Sequence, residues 1–527
     1  MCGKRFHRHA VLSLFLAGST LFCFLPLHAQ GSIPADEVTQ QSLRFAKVYE
    51  AVQQNYMDPL DPDRLILEGA IRGMLASLDP FSSFFDHAQF MMLQEETRGE
   101  ALGFGSILYV QPGKVMVIQT EEGSPSWRAG LGPGEQIVAV NGVHLDQLSL
   151  RDLVRLLRQA RSHPVQLSVL RPGDDTPQDI RMTPAEVKLP TVDIAFPYSP
   201  GIGYIHVASF EAKTPQELVQ ALKKLDSPHL TGLILDLRNN PGGLLASALD
   251  VCSLFLKPGA VVLTVRGRSV AEKTFKTVEA PLHVGVPLIV LVNRNTASAA
   301  EVVAAALQDH DRALILGEPT FGKGVVESVT PLSGGTGLAL LTAEYFAPSG
   351  RCVQKPLPGT ALDNPIRGIA SATPDSGGRT PLTFHTDDGR PVSAAGGITP
   401  DVVAPSWHLD PWLTFLSQTG MFASFASEYF GYHSKIDKNF EVASETLQEF
   451  RNFLVGQRIR TPQQYWTKDQ GYLKVRLKQA LFNLAFGLDA GNEVETVCDP
   501  QVKKAASLFP DVAKLLQGPG YLASAKR

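Results

Sequence analysis

The sequence predicts an α/β protein that carries a small inserted β-rich domain and has helical regions at both ends. Between residues 188 and 350, strand-like apolar runs alternate with helix-patterned segments, which is typical of a largely parallel sheet with both faces covered. Residues 99–187 contain short β-rich runs around one amphipathic helix. Residues 36–98 and 406–515 carry apolar side chains at three-to-four spacing, which indicates helices.

Length and composition support several domains and argue against two classes of protein. A chain of 527 residues suggests about three or four domains of roughly 100–200 residues each. The net charge of −4 gives no electrostatic basis for binding nucleic acid. Five scattered cysteines are too few for a disulfide framework or a zinc site. The predicted divisions are a signal peptide (1–29), an N-terminal helical region (36–98), the β-rich domain (99–187), the core (188–405, with an insertion at 354–397) and a C-terminal helical region (406–527).

The N-terminus has the pattern of a secretory signal. Basic residues precede the apolar stretch 10–27, and Leu27-His28-Ala29 offers a cleavage site before the mature chain. The alternative is an uncleaved membrane anchor, because a stretch of about 18 apolar residues approaches the length of a membrane span. Both interpretations place most of the protein outside the cytoplasm, in the periplasm or another extracytoplasmic compartment, with membrane association through the N-terminus in the second.

The two helical regions show no cluster of titratable residues. In the first, Leu78-Asp79-Pro80 interrupts the helical spacing, because proline ends a helix at or before the preceding residue. We expect this region to serve packing or docking. For the C-terminal region, homo-oligomerisation, bracing of the core and gating of substrate stay open. The insertion at 354–397 is rich in proline, glycine and polar residues, which predicts a long surface loop.

Residues 99–187 resemble a PDZ domain. Strands are expected at 106–110, 115–120, 136–140 and 165–171, with a helix at 149–160. The glycines of Gly103-Phe104-Gly105 would turn backbone amides toward the terminal carboxylate of a peptide. The edge of the strand that follows, together with the helix, would form the peptide groove. The alternative is a small β-domain without a ligand.

The core is expected to present its chemistry at the ends of its strands. Strands are predicted at 202–207, 233–237, 261–265, 288–292, 313–316 and 338–345, and helices at 214–225, 246–256 and 297–309. Ser298 follows one of these strands within Thr296-Ala297-Ser298-Ala299, where the alanine-rich run begins a helix. In the first helical turn, the helix dipole favours the negative charge that develops on a nucleophile. The structural alternative is a serine that merely caps the helix.

Lys323 lies 25 residues further on, between Gly322 and Gly324. A lysine in water has a pKa of about 10.4 and is a poor base at neutral pH, but burial beside apolar side chains such as Phe321 would favour its neutral form. A neutral amine can take the proton of a serine hydroxyl, so the pair predicts a serine peptidase with lysine as its base. An exposed loop lysine is the alternative.

Acyl transfer also needs donors for the oxyanion. The segment 236–244 ends a buried strand in Pro241-Gly242-Gly243, a glycine turn that exposes backbone amides. We predict that the amides of Gly243 and Ala299 form the oxyanion hole. A tight turn without a catalytic role is the alternative.

Taken in order, these motifs resemble those of the carboxyl-terminal processing peptidases, also called tail-specific proteases. The matching segments are Leu78-Asp79-Pro80, Gly103-Phe104-Gly105, 236–244, 296–301, 317–324 and 348–351. The resemblance implies a crotonase-like (ClpP-like) α/β core, a PDZ domain that senses substrate tails, and a Ser-Lys dyad at Ser298 and Lys323. It also implies cleavage of exported proteins near their C-termini, with protein or peptide substrates as the partners and with neither a metal nor a cofactor.

One catalytic position departs from the pattern of that family. Its members usually carry a glutamine four residues after the lysine, whereas this chain has Glu327. An ionised carboxylate would hold Lys323 and favour its ammonium form, which weakens the base, unless burial protonates Glu327 or another cation neutralises it. Two alternatives therefore stay open: a catalytically impaired, PDZ-bearing envelope adaptor, and an acyl-thioester enzyme with the same core fold. The export signal and the inserted domain argue against the second.

Overall fold

The computed structural model describes residues 35–515 except for 99, 112, 172–173, 189, 227–228, 279–285, 358–359, 361, 363–383, 395 and 434. The predicted signal peptide and the last twelve residues of the predicted C-terminal region lie outside the described residues. Within the described part of the chain, no helix has both the length and the apolar character needed to cross a membrane.

Helices and strands alternate along most of the chain. The helices, in chain order, are α1 (Ala35–Asn55), α2 (Arg72–Ala76), α3 (His87–Arg98), α4 (Pro125–Arg128), α5 (Leu150–Ala160), α6 (Thr214–Lys224), α7 (Leu245–Ser253), α8 (Ala299–Asp309), α9 (Pro411–Gln418), α10 (Met421–Tyr432), α11 (Ser444–Gly456), α12 (Gln463–Lys468), α13 (Gln470–Phe486), α14 (Leu488–Cys498) and α15 (Pro500–Leu515). The strands are β1 (Ser83–Phe85), β2 (Glu100–Gly103), β3 (Ser106–Gln111), β4 (Lys114–Thr120), β5 (Gln136–Val140), β6 (Val143–His144), β7 (Val165–Leu170), β8 (Gln178–Met182), β9 (Ala185–Lys188), β10 (Ile194–Ser199), β11 (Ile202–His206), β12 (Gly232–Asp236), β13 (Val261–Arg266), β14 (Lys273–Lys276), β15 (Leu288–Val292), β16 (Leu314–Gly317), β17 (Val325–Pro331), β18 (Gly337–Phe346), β19 (Phe384–His385), β20 (Pro391–Val392) and β21 (Val402–Val403). A π-helical segment spans Arg64–Ile71 and a 3-10 turn spans Ser333–Gly335.

The described chain forms two compact units. One, the core unit, contains residues 35–98, 191–404 and 508–515. The other, the PDZ unit, contains residues 100–190 and 405–507.

The core unit is built on a mostly parallel sheet, as the sequence predicts. Its strand order is β10-β11-β12-β15-β16-β21, and every neighbouring pair is parallel except β10 and β11. The central strands consist largely of buried Leu, Ile and Val, which is the composition of strands covered on both faces. The α/β prediction is therefore confirmed.

A second, antiparallel sheet in this unit was only partly predicted. Its order is β1-β18-β13-β14, with β17 also paired to β18. Three of its strands are absent from the sequence prediction: β14, β17, which follows Lys323, and β1, which lies in the region expected to be helical throughout. The register pairs Ser83 with Ala339 and Phe85 with Gly337, so the N-terminal region contributes a strand to the core unit.

Helix α8 lies in the interior of the core unit. All eleven of its residues are buried, and five of them are alanine. Small side chains let a helix pack closely on every side, whereas a surface helix would need a polar face. The burial of α8 fixes the position of the residue at its N-terminus, which is Ser298.

The insertion at 354–397 is tied to the core unit in its described part, rather than being only a surface loop. The guanidinium of Arg390 forms ion pairs with Asp311 and Asp401, each at 2.5 Å. The side chains of Thr386 and Val392 are buried. Residues 358–359, 361, 363–383 and 395 of this insertion lie outside the described residues.

The PDZ unit combines an antiparallel sheet with a cluster of helices. The sheet order is β3-β4-β5-β7-β8, with β6 on β5, and α5 packs against β3 and β5. The helices from α9 to α13 enclose an aromatic core that includes Trp412, Phe450 and Trp466. The C-terminal segment is helical as predicted, and the helical regions at both ends of the chain are confirmed.

Candidate active site

Ser298 occupies the position immediately before α8, because the helix begins at Ala299, two residues later than the sequence predicts. Its backbone has φ +56° and ψ −120°, a conformation that non-glycine residues rarely adopt. The residue is fully buried, and its Oγ has no hydrogen-bond partner among the described residues. A buried hydroxyl without a hydrogen-bond partner costs about 1–3 kcal/mol of stability. Backbone strain such as that at Ser298 tends to concentrate at functional sites. This hydroxyl is therefore available for chemistry.

Glu301 joins the Ser298 segment to the Lys323 segment. Its Oε2 accepts hydrogen bonds from the amides of Ser298 at 2.9 Å and Lys323 at 2.8 Å. Its Oε1 accepts from the amide of Gly322 at 2.8 Å and the hydroxyl of Thr320 at 2.5 Å. Burial raises the pKa of Glu301, while these four hydrogen bonds act in the opposite direction. Because one oxygen binds both amides, the two backbone segments must be adjacent.

The side chain of Lys323 is buried, with 8% of its surface exposed. Its Nζ lies 2.6 Å from Oε2 of Glu327 and 4.7 Å from the ring centroid of Phe81. Phe321, the aromatic residue that the sequence suggested as a shield, is 48% exposed. The ring that covers the amine thus comes from the N-terminal region, 242 residues before the lysine in sequence.

Glu327 lies on β17, next to a register shift between Val326 and Glu327, and is 2% exposed. Burial raises the pKa of its carboxyl; the charge and hydrogen bond of Lys323 lower it, and Asp79 raises it again. Asp79 itself accepts hydrogen bonds from the amides of Phe81 at 2.7 Å and Ser82 at 2.6 Å. The Leu78-Asp79-Pro80 motif therefore shapes the turn that presents Phe81.

The glycine turn after β12 lies directly against the segment that contains Ser298. A Cβ added to Gly242, whose φ is +104°, would lie 2.8 Å from the Cβ of Ser298 and 2.9 Å from the amide nitrogen of Ala299. Gly243 has φ +138°, and a Cβ there would overlap the carbonyl oxygen of Phe210. Only glycine fits both positions, because both the backbone angle and the space exclude a side chain.

His310 does not belong to this site. It follows α8 at the opposite end from Ser298, and twelve residues of helix span about 18 Å. Its ring nitrogens lie 2.7 Å from Asp387 and 2.7 Å from the carbonyl oxygen of Val261. Among the described residues, no group of three or more His, Cys, Asp or Glu side chains is arranged to hold a metal ion.

Comparisons with known proteins place the chain in a family. Residues 201–364 match the description Peptidase family S41, residues 116–171 match PDZ domain, and residues 28–89 match Activating protease CtpB N-terminal domain. A carboxy-terminal-processing protease of Bartonella bacilliformis is 36% identical over 64% of this chain and 79% of its own length. The chain belongs to the carboxy-terminal processing proteases. It is a serine-type peptidase with a PDZ domain.

Two further relatives of this protease have similar names. A carboxyl-terminal-processing protease of Synechocystis is 37% identical over 58% of this chain and 73% of its own length. The carboxy-terminal processing protease CtpA of Bacillus subtilis is 31% identical over 66% of this chain and 72% of its own length.

The expected peptide-binding loop of the processing protease is shorter than the sequence suggests. Gly103 ends β2 and pairs with Ala185 of β9, so it belongs to a strand and not to the loop. Phe104 and Gly105 connect β2 to β3, and Gly105 has φ +71°. The carbonyl oxygens of Phe104 and Gly105 accept hydrogen bonds from the amides of Ser126 at 2.9 Å and Glu121 at 2.8 Å. This short turn leads into β3, the terminal strand of the sheet order.

Three residues make contacts around Lys323 that the sequence does not predict. Phe81 and Asp79 lie far from Lys323 in sequence, and no local pattern connects them with it. Glu301 accepts a hydrogen bond from the amide of Ser298 three residues before it, but its bonds to the amides of Gly322 and Lys323 depend on the tertiary fold. A charged residue inside the otherwise apolar run of α8 was the one available signal.

Proposed function

We propose that this protease cleaves exported proteins near their C-termini by acyl transfer to Ser298, with Lys323 as the general base. The observation that carries the proposal is the Glu301 carboxylate, which binds the amides of both residues and so holds the two segments together. The buried, unpartnered hydroxyl of Ser298 supports the role of nucleophile.

Glu327 gives Lys323 a route to its neutral form. If the pair starts as ammonium and carboxylate, a proton can pass from Nζ to Oε2 across the 2.6 Å hydrogen bond. Burial raises the pKa of the Glu327 carboxyl and so favours its uptake of this proton. The neutral amine then takes the proton of Ser298 as Oγ attacks the substrate carbonyl. We infer that Glu327 positions Lys323 and also stores its proton.

The remaining steps use backbone groups. The amides of Gly243 and Ala299 stabilise the oxyanion, which requires the two glycines of the turn after β12 to stay close to the start of α8. The protonated lysine returns its proton to the leaving amine. Water, activated by the same amine, then attacks the acyl-enzyme and releases the shortened substrate.

We also propose that the PDZ domain captures the substrate's C-terminal tail. Strand β3 pairs with β4 on one side and ends the sheet order, so a peptide can add to its other edge beside α5. Ile107 on this strand is 51% exposed and offers an apolar contact. The N-terminal sequence pattern leads us to place this activity outside the cytoplasm.

The test of the nucleophile compares two buried serines. Ser298→Ala abolishes cleavage of an unfolded protein substrate, because the reacting oxygen is gone. Ser247→Ala is the matched control: Ser247 is also buried, its Oγ also lacks a partner among the described residues, and it lies on α7. We expect this control to retain activity. Equal rates for Ser298→Ala and the wild type would remove the basis for the proposed mechanism.

The test of tail capture uses two peptides that differ only at the C-terminus. A substrate with a free carboxylate should have a lower KM than the same peptide ending in an amide, because the amide has no negative charge to bind. Identical kinetic constants for the two peptides would contradict recognition of the tail carboxylate.

A further inference from the structure

His206 ends β11 and has hydrogen-bond acceptors at both ring nitrogens. Nδ1 lies 2.6 Å from a carboxylate oxygen of Asp193, and Nε2 lies 3.1 Å from the carbonyl oxygen of Arg238. Its side chain is 17% exposed. A neutral imidazole has one N–H and could satisfy one of these acceptors, whereas an imidazolium satisfies both. The geometry therefore indicates that the ring is charged.

The surrounding groups favour that charge. Asp193 precedes β10, and Asp236 ends β12 opposite His206 in the strand register. Burial by itself lowers the pKa of His206, but the hydrogen bond and charge of Asp193, the charge of Asp236 and the carbonyl of Arg238 raise it to about 9.

The other charged and titratable groups beside Asp236 are already engaged with it. The guanidinium of Arg238 binds both oxygens of Asp236, with Nε at 3.0 and 2.9 Å. The hydroxyl of Tyr204, on β11, donates to Asp236 at 2.7 Å. Arg238 is thus held by its side chain at Asp236 and by its carbonyl at His206.

The chain after Arg238 is the glycine turn of the proposed oxyanion hole. The segment 206–210 contacts this turn repeatedly: Val207 O accepts from Asn240 Nδ2 at 2.7 Å, and Phe210 N donates to Gly242 O at 2.8 Å. Asn240 O in turn accepts from Ala297 N, next to the nucleophile, at 3.0 Å. These contacts are made by amide groups, which do not titrate. The contact of His206 with the Arg238 carbonyl differs from them because pH can alter it.

We propose that the His206 imidazolium is a positioning residue, which anchors the Arg238 carbonyl and thereby holds the Gly243 amide in place for the oxyanion. The proposal rests on the proposed function, since it assumes acyl transfer at Ser298. When the ring loses a proton, the carboxylate of Asp193 retains the N–H at Nδ1. The lone pair of Nε2 then faces the Arg238 carbonyl and repels it.

The direction of the pH effect follows from the raised pKa. The stabilising contribution of the charged ring is complete below about pH 6.5, the ordinary histidine value, and is lost as the pH rises through about 9. The turn should therefore lose its anchor, and the protease part of its activity, on the alkaline side.

The kinetic experiment compares three versions of the full chain. His206→Ala should lower kcat by about tenfold to a hundredfold with little change in KM, because a charge-assisted hydrogen bond is lost and the oxyanion forms only in the transition state. His206→Gln, whose amide can still donate to the Arg238 carbonyl, should recover much of that loss. Equal losses in the two variants would overturn the anchoring role.

The pH profile separates anchoring from general packing. The ratio of wild-type kcat to that of His206→Gln should be constant at neutral pH and fall above about pH 9, because glutamine does not titrate. In Asp193→Asn, kcat should fall at a lower pH than in the wild type, because the negative charge of Asp193 no longer favours the His206 imidazolium. His229→Ala is the matched control, since His229 forms a similar pair with Asp226 at 2.9 Å but is exposed. A flat ratio at all pH values would refute the titration.

A measurement without turnover distinguishes this inference from the proposed function. Nuclear magnetic resonance of labelled histidine in Ser298→Ala should show His206 protonated at both nitrogens at pH 7, with a midpoint near 9. A midpoint near 6.5 overturns the inference even if Ser298 is the nucleophile. A midpoint near 9, in a chain whose wild type lacks Ser298-dependent cleavage, would instead contradict the proposed function.

Discussion

At the scale of single residues, the site depends on carboxylates with different partners. Glu301 binds four donors, three of them backbone amides, and acts as a fixed connection between segments. Glu327 binds the amine of Lys323, a group that must change its charge during the proposed reaction. Both are buried, and burial raises the pKa of each. A buried carboxylate without fixed donors is the easier of the two to protonate, so Glu327 is better suited to exchange a proton.

The residue-scale prediction concerns Glu327→Gln. A neutral amide removes the negative charge 2.6 Å from the Lys323 amine, so a proton is held less strongly at this pair. We expect the wild type to have the more alkaline optimum, with the acid side of the pH–rate profile shifted by on the order of one pH unit. The measurement is kcat against pH for both proteins.

Glu318→Gln serves as the control for this prediction. Glu318 lies five residues before Lys323 and forms an ion pair with the exposed Arg294 at 3.1 Å, so its neutralisation should leave the profile in place. Superimposed profiles for Glu327→Gln and the wild type would show that the electrostatic argument about position 327 is wrong.

At the scale of elements, α8 is held at both ends. Its N-terminus is fixed by Glu301, and its C-terminal end is fixed by Arg351, which is fully buried. The guanidinium of Arg351 lies 2.7 Å from Asp309 and 2.8 Å from the side-chain oxygen of Gln308. The helix that follows Ser298 therefore cannot shift along its axis without breaking a buried ion pair.

The element-scale prediction is that Arg351→Gln destabilises the core unit by about 3–5 kcal/mol, because it leaves the charge of Asp309 buried and without its ion-pair partner. Arg266→Gln is the control in the same unit: Arg266 pairs with Glu272 at 2.8 Å, but the two side chains are 44% and 59% exposed. It should cost less than about 1 kcal/mol. The measurement is loss of activity in increasing urea, and similar midpoints for both variants would contradict the prediction.

Elements with strong local patterns were predictable from the sequence, and elements that depend on pairing were not. The apolar runs of β12 and β15 and the alanine-rich α8 fall within one or two residues of their predicted limits. Strand β1 has three residues and lies among helices, so its apolar pattern is too short to recognise. Strand β17 carries a buried glutamate that pairs with Lys323, and a charged residue inside a run of this kind does not predict a buried strand.

The candidate site divides in the same way. Ser298, Lys323 and the glycine turn stand out as motifs in the sequence, and their assignment as a peptidase site comes from family resemblance. The contacts of Glu301 across 22 residues and of Phe81 with Lys323 required the fold. No periodic pattern in the sequence predicts such contacts, because each joins single residues from two distant segments.

At the scale of the whole molecule, the unfolding of each compact unit can be followed by a different measurement. The four tryptophans, Trp127, Trp407, Trp412 and Trp466, all belong to the PDZ unit. The proposed catalytic residues all belong to the core unit. Unfolding of the first can therefore be followed by tryptophan fluorescence, and unfolding of the second by loss of activity.

The corresponding prediction concerns Gly420, which joins α9 to α10 with φ +62°. A Cβ there would overlap the ring and hydroxyl of Tyr109 on β3. Gly420→Ala should therefore destabilise the PDZ unit by about 1–3 kcal/mol, and the midpoint of the fluorescence transition in urea should fall. The midpoint of activity loss should stay unchanged if the units unfold separately.

Gly431→Ala is the control for this position. Gly431 lies within α10, and a Cβ there meets no atom within 4 Å. Alanine should stabilise the helix by up to about 1 kcal/mol. If Gly420→Ala is as stable as the wild type, then Tyr109 can move aside, and the close contact does not determine the stability of the PDZ unit.

The aromatic ring over the Lys323 amine has a practical consequence for anyone wishing to shorten this enzyme. The segment that matches the peptidase family begins at residue 201, which suggests a natural starting point for a minimal catalyst. Phe81 and Asp79 lie well before it, and the strand that follows them pairs with the sheet next to Glu327. A truncated version should therefore retain residues 79–85, fused or supplied as a separate peptide, to keep water away from the Lys323 amine.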